Sequence, residues 1–133
     1  MQHIIDKVAW ILLSDGKVLS TLSKGKDTWY LPGGKREAGE TDGGCLSREI
    51  KEELDVLILA DSLNFYGVFE APAHGHGNGI LVKMTCYQAQ YAGTLHASSE
   101  IDRFGWLNYA DREKCSAVDQ LIFEELWRNR SIS

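Results

Sequence analysis

Three glutamates within five residues, Glu49, Glu52 and Glu53, directly follow an arginine, Arg48. Placed on a helix at 100° per residue with Glu49 at zero, Glu53 falls at about 40°, Glu52 at about −60° and Arg48 at about −100°. The three carboxylates therefore share an arc of roughly 100°. Like charges three or four residues apart destabilise an isolated helix by ~0.2–0.5 kcal/mol per pair. Arg48, beside Glu52 on the wheel, offsets part of this, and a hard divalent cation offsets more. Magnesium prefers oxygen ligands and is commonly held by a few carboxylates together with substrate phosphates. The arrangement suits metal-assisted phosphoryl chemistry. An acidic triplet alone is equally a solvated helix face, so the surrounding pattern has to decide.

The elements that must position these carboxylates are legible around them. Thr41 to Leu54 reads as a helix, with Thr41 or Asp42 capping its first N–H groups. Leu46, Ile50 and Leu54 fall at about 60° to 140° on the same wheel, so one side packs while the adjacent side carries the charge. Gly43 and Gly44 in the first turn indicate either a close approach or a frayed start. Upstream, Lys7 to Leu13 is an apolar run suited to a buried strand, Asp15-Gly16 signals a hairpin, and Val18 to Leu22 returns. Trp29-Tyr30-Leu31 is a short strand stopped by Pro32-Gly33-Gly34. Downstream, Phe65 to Glu70, Ile80 to Ala89 and Arg103 to Leu107 read as strands. Ile80 to Ala89 alternates, with Val82, Met84 and Cys86 on one side and Lys83 and Thr85 on the other. Ser116 to Trp127 reads as a closing helix with a capping box of Ser116 and Asp119 and an apolar stripe of Val118, Leu121, Ile122 and Leu126. Strands mixed with one early and one late helix predict an α/β or α+β sandwich.

The stretch from Gly34 to Val56 carries a resemblance. Gly34, five residues, Glu40, seven residues, then Arg48-Glu49-Ile50-Lys51-Glu52-Glu53-Leu54-Asp55-Val56 resembles the Nudix box, over 23 of the 133 residues. Asp55 stands where that family has glycine; aspartate tolerates the left-handed geometry such a helix end requires, at a modest stability cost. The strand, Asp-Gly hairpin, strand and Trp-Tyr-Leu-Pro-Gly-Gly order upstream is similar to family members. Glu100, six residues before Trp106-Leu107, looks like the extra metal-binding glutamate of MutT-like members.

The resemblance implies an α/β/α sandwich with a mixed sheet and hydrolysis of a diphosphate linkage in a nucleotide-like substrate, with magnesium, or manganese, as cofactor. It implies Glu52 and Glu53 as metal ligands, Glu49 as a ligand or the base that activates water, and the Gly33 carbonyl and Glu100 as further ligands. Arg48 would orient the carboxylates, and Gly34 and Glu40 would support the loop and helix. MutT-like oxidised-guanine hydrolases read the base near the start of the last helix. A loose alignment sets Val118 at that position with Asp119 beside it, making Asp119 a candidate substrate contact. Lys35, Arg36, His74 and His76 are further candidates, the histidines because they titrate near neutral pH. Rival readings are a nucleotide-sugar or dinucleoside-polyphosphate hydrolase and a catalytically silent nucleotide sensor. A calcium-binding protein is disfavoured, because no Asp-x-Asp-x-Asp-Gly loop is present.

Composition narrows the classes. A length of 133 residues fits one compact domain, residues 1–133. The net charge of −5 argues against a duplex nucleic-acid binder, which needs a basic face. An acidic protein that binds phosphates needs a metal or local donors to screen the repulsion. No apolar run approaches the ~20 residues of a membrane helix, and the first residues lack a signal peptide's pattern, so a cytoplasmic location is expected. Cys45, Cys86 and Cys115 have no metal-ligand spacing and read as reduced, packed thiols. The assembly expected is a monomer or a homodimer, the latter being the commonest closed oligomer.

Overall fold

The computed structural model describes residues 3–73 and 79–133. In chain order the elements are β1 (His3–Trp10), β2 (Leu13–Ser14), β3 (Lys17–Ser23), β4 (Trp29–Tyr30), β5 (Gly33–Lys35), α1 (Asp42–Leu54), β6 (Leu57–Ile58), β7 (Asn64–Pro72), β8 (Ile80–Gln88), β9 (Tyr91–Ala92), β10 (Ile101–Leu107) and α2 (Ala117–Arg128). One four-stranded sheet has the order β5-β1-β8-β7. It is mixed: β1 runs parallel to β8 and antiparallel to β5, and β7 runs antiparallel to β8. A second sheet joins β10, β3 and β2, with β4 also paired to β3, at Thr21 and Leu22.

Strand β1 shows why its sequence is apolar throughout its second half. Val8 and Trp10 enter one core cluster with Cys45, Leu46, Ile50 and Leu54 of α1. Ala9 and Ile11 enter another with Val118, Ile122, Phe123 and Leu126 of α2. Successive strand residues point to opposite faces, so the two helices cover opposite sides of the mixed sheet. This is the expected α/β/α sandwich. The same covering explains β8, where Met84, Thr85 and Cys86 are all buried. The alternation of Ile80 to Ala89 gave the faces correctly, but both are enclosed. All three cysteines are free and buried in these layers.

The hairpin between β2 and β3 turns on Asp15 and Gly16, both with positive φ, as the Asp-Gly signal requires. Thr41 caps α1 by accepting from the Gly44 N–H at 3.1 Å. A Cβ on Gly43 would stand 2.8 Å from Leu63 Cδ1, the movable end of a leucine side chain. In α2 the stripe differs from expectation. Leu121 is exposed, and Phe123 takes the buried place. Half of the expected capping box forms: Ser116 accepts from the Asp119 N–H, while the Asp119 carboxylate turns to the Leu31 N–H.

Helix α1 ends on Asp55 at φ 58° and ψ 36°, with its N–H donating to the Lys51 carbonyl. Glycine holds this conformation without the Cβ penalty. The Lys51–Asp55 ion pair lost on substitution is exposed and worth little. Asp55→Gly should therefore raise the thermal midpoint by roughly 2–5 °C, read by circular dichroism at 222 nm, a wavelength that follows helix content; a lowered midpoint would make the ion pair the dominant contribution.

Candidate functional site

Helix α1 faces β5 along its second half, and the loop before β10 is hydrogen-bonded to the end of the same helix. Strand β5 comes first. Gly33 has φ +141°, and a Cβ there would lie 2.1 Å from the Val8 carbonyl oxygen, so only glycine lets β5 approach β1. Its N–H donates to Glu53 Oε1 at 3.1 Å. A Cβ on Gly34 would lie 2.4 Å from the carboxyl carbon of Glu49. The two glycines thus seat two carboxylates of α1 directly on the backbone of β5.

Arg48 fixes the rest. It donates from Nε and Nη2 to the two oxygens of Glu40 at 2.8 and 2.9 Å, and from Nη1 to Glu49 Oε1 at 3.1 Å. Nη2 also reaches the Lys35 carbonyl at 3.1 Å, and Glu52 Oε1 stands 3.6 Å from Nη1. Glu40 accepts a further N–H from Glu37. The Arg48 hydrogen bonds, with that N–H, hold the Glu40 carboxyl down at about 2.

The carboxylates differ in exposure, and this sorts their chemistry. The Glu52 side chain is 51% exposed and that of Glu49 14%, while Glu53 is 7% exposed as a residue. Burial pushes the Glu53 carboxyl up to about 8; the Gly33 N–H opposes the rise, Glu49 and Glu100 add to it, and Lys7 pulls it down. Glu49 is raised by burial and, less, by Glu52 and Glu100, against the pull of Arg48. Glu100 belongs to the same electrostatic field because its loop is tied to the end of α1. The Ser98 N–H donates to the Glu53 carbonyl and the His96 N–H to the Leu54 carbonyl, both at 2.9 Å.

A metal fits this donor set in its chemistry: hard carboxylate oxygens, mutually repelling and incompletely neutralised. Among the described residues, no three such side chains are already gathered in metal-holding geometry.

The remaining candidates separate. Lys35 lines a cavity of about 190 Å³ beside the carboxylates, together with Lys7, Tyr30 and the start of α2. Arg36 is engaged in ion pairs with Asp6 and Asp42, tying β1 to the start of α1, so it is not offered to a substrate. Asp119 does not line this cavity: it is completely buried, its Oδ2 accepts the Leu31 N–H at 2.9 Å and its Oδ1 has no hydrogen-bond partner among the described residues, while Ser116, Ala117 and Val118 form the wall. His74 and His76 lie outside the described residues. Tyr87 donates its hydroxyl to Asp42 at 2.6 Å. Lys7, which the motif pattern does not mark, lines the same cavity as Lys35. The signal was its parity: two and four residues before the inward-facing Ala9 and Ile11, it shares their side of β1.

The sequence profile described as NUDIX domain matches residues 5–122. The chain belongs to the Nudix family. A MutT-like protein of Streptomyces ambofaciens is 28% identical over 105 residues, covering 79% of this chain and 64% of that protein. The uncharacterized Nudix hydrolase YvcI of Bacillus subtilis (strain 168) is 28% identical over 101 residues, 76% of this chain and 64% of its own length. The chain thus covers somewhat less than two thirds of these curated relatives. The solution structure of the E. coli ORF135 protein has a TM-score of 0.76 at 22% identity, covering 98% of this chain and 93% of that one, a likeness of fold. Nudix proteins typically work with a divalent metal. No helix among the described residues is long and apolar enough to cross a membrane.

The raised Glu53 carboxyl carries a stability consequence. Its folded value of about 8 lies above the ordinary 4.5, so the folded state holds the proton more tightly. Stability from this group is complete below about pH 4.5 and is lost as pH rises towards about 8. Asp119, pushed up to about 6 by burial, acts in the same direction but only up to that pH. In EDTA, the wild-type midpoint should therefore fall by roughly 5 °C between about pH 6 and pH 8. Glu53→Gln should flatten that slope and melt at or above wild type at pH 8. Magnesium should raise the wild-type midpoint more than the mutant's. Parallel slopes for the two proteins would remove Glu53 as the titrating group.

Proposed function

We propose that the protein is a magnesium-dependent hydrolase of a diphosphate linkage in a nucleoside triphosphate or another nucleoside-diphosphate derivative. The observation that carries this reading is the seating of Glu53 and Glu49 against Gly33 and Gly34, with Glu53 buried against a single N–H donor. A site that concentrates unneutralised carboxylates on an acidic protein repels a phosphate substrate unless a cation stands between them. Glu49, Glu52, Glu53 and Glu100, with the Gly33 carbonyl, are the groups that would hold it, manganese being the other candidate ion. When bound, the metal supplies charge neutralisation and polarises the phosphoryl oxygens.

The chain's own residues do the rest. Arg48 keeps Glu49 pointed at the site by donating to one of its oxygens, leaving the other oxygen to a ligand or a water. Glu49, with its elevated proton affinity, suits either a ligand or the group that takes a proton from the attacking water. Glu40 fixes Arg48 in turn, so its role is positioning. Domain extent follows the same reading, with residues 1–133 forming a single catalytic domain and no duplex nucleic acid or membrane as partner.

A panel of nucleoside triphosphates, nucleotide sugars and dinucleoside polyphosphates, with phosphate and pyrophosphate detection, tests the proposal. At least one compound should turn over with magnesium and stop in EDTA. Undiminished turnover in EDTA would sink the mechanism, and none across the panel would favour a silent sensor. Glu100→Gln should lower turnover by about tenfold or more, by analogy with removal of one charge-stabilising group, and shift the magnesium requirement upward with the melt unchanged. Unaltered activity and magnesium dependence would exclude Glu100 from the site.

A further inference from the structure

Lys7 stands where two cavities meet. One, of about 190 Å³, is lined by Lys7, Lys35, Tyr30 and Ser116 with apolar walls that include Val82 and Val118. The other, of about 230 Å³, shares Lys7 and Tyr30 and reaches Gly33 and Glu53. The Lys7 ammonium sits 5.0 Å from the centroid of the Tyr30 ring, which holds its stem in place. Among the described residues it has neither an ion pair nor a hydrogen bond, although it is half-buried. Arg36 and Arg48, in contrast, are saturated with carboxylates.

The strand register sharpens the point. Lys7 and Lys35 are directly opposed in the antiparallel pair of β1 and β5. Like charges directly across a strand pair are destabilising. Among the described residues no carboxylate lines the cavity of about 190 Å³, and its remaining polar side chains are Tyr30 and Ser116, the latter capping α2, whose N-terminus favours an anion. Lys7 also exerts a pull on both Glu53 and Asp119, so its charge lies between the carboxylate site and the enclosed face of α2. On a chain of net charge −5, this is a local concentration of donors next to a concentration of acceptors.

We propose that Lys7, with Lys35 opposite it, is the phosphate clamp of the substrate site: its ammonium binds a non-bridging oxygen of the diphosphate where the carboxylate site opens into the neighbouring cavity. This rests on the diphosphate reading above. The organic part of the substrate then lies against the apolar walls, and the diphosphate passes Lys7 on its way to the glutamates. Lys7 is a binding residue for the phosphate and takes no part in proton transfer.

The test uses methylenediphosphonate, a diphosphate mimic that water does not cleave at its bridge, titrated calorimetrically into the full chain at saturating magnesium. Lys7→Met keeps the stem and removes the charge; Lys7→Arg keeps the charge. Thermal melts establish that both fold. Lys7→Met should bind about tenfold or more weakly than wild type, the loss expected for one hydrogen bond to a charged group. Lys7→Arg should stay within about threefold, since it preserves the charge-assisted contact. Malonate, a dianion without phosphorus, should show no dependence on Lys7.

Equal binding by wild type and Lys7→Met overturns the proposal, as does no binding by wild type at millimolar ligand. Equal weakening by Met and Arg replaces it with a packing role. Tighter binding by Lys7→Met assigns Lys7 to neutralising Glu53. A Lys7 dependence for malonate but not for the diphosphonate makes the cavity a carboxylate site and overturns the phosphate assignment. A Lys7-dependent diphosphonate affinity without turnover on the substrate panel would sink the hydrolase reading alone. Turnover without Lys7 dependence would sink this inference alone.

Discussion

The guanidinium of Arg48 joins the loop after β5 to the middle of the carboxylate helix. One edge holds both oxygens of Glu40, and the other holds Glu49. Paired in this way, the group is planar, permanently charged and fork-shaped, so it fixes direction as well as distance. Its bond to the Lys35 carbonyl adds the strand itself to the same junction. Remove this junction and the turn from Glu37 to Glu40, the register of β5 and the aim of Glu49 all lose a common reference. An amine with three free rotors supplies the charge but not the fork.

The glycines of β5 complete what Arg48 begins. Gly33 brings its strand so near to Val8 that no side chain fits between them, and Gly34 leaves room for the Glu49 carboxylate where a methyl group would stand. Close backbone approach and charge concentration thus come from the same two positions. The apolar side of α1, with Leu46, Ile50 and Leu54 wholly buried, anchors the helix against this pressure. Truncating any one of these to alanine would cost about 2–5 kcal/mol by loss of buried contact and the cavity left behind.

Much of this was legible in the sequence, for a physical reason. Helical periodicity places Glu49, Glu52, Glu53 and Leu46, Ile50, Leu54 without knowledge of any partner, and the Asp15-Gly16 turn is fixed by local backbone preference alone. What escaped depends on contacts between distant segments. Leu121 and Phe123 both fit a generous helical stripe; only the neighbouring strands decide which is buried. Asp119 reads as a surface cap residue until the Leu31 N–H, 88 residues away, claims its carboxylate. Arg36 reads as a free cation until Asp6 and Asp42 surround it. Lys7 is the converse case, a lysine hidden in an apolar run whose ammonium meets the Tyr30 ring and has no ion pair among the described residues.

Residue 53 is shared between two tasks. Its side chain belongs to the carboxylate site, while its main-chain carbonyl receives the Ser98 N–H from the segment that carries Glu100. The segment carrying the fourth carboxylate is thereby moored to the helix as well as to the end of β3, where the Lys24 N–H donates to the Glu100 carbonyl. Bending or lengthening between Gly93 and His96 can be absorbed in the loop, because the anchor lies downstream of it. The main chain of Glu53 thus helps set where the segment carrying Glu100 stands relative to the end of the helix.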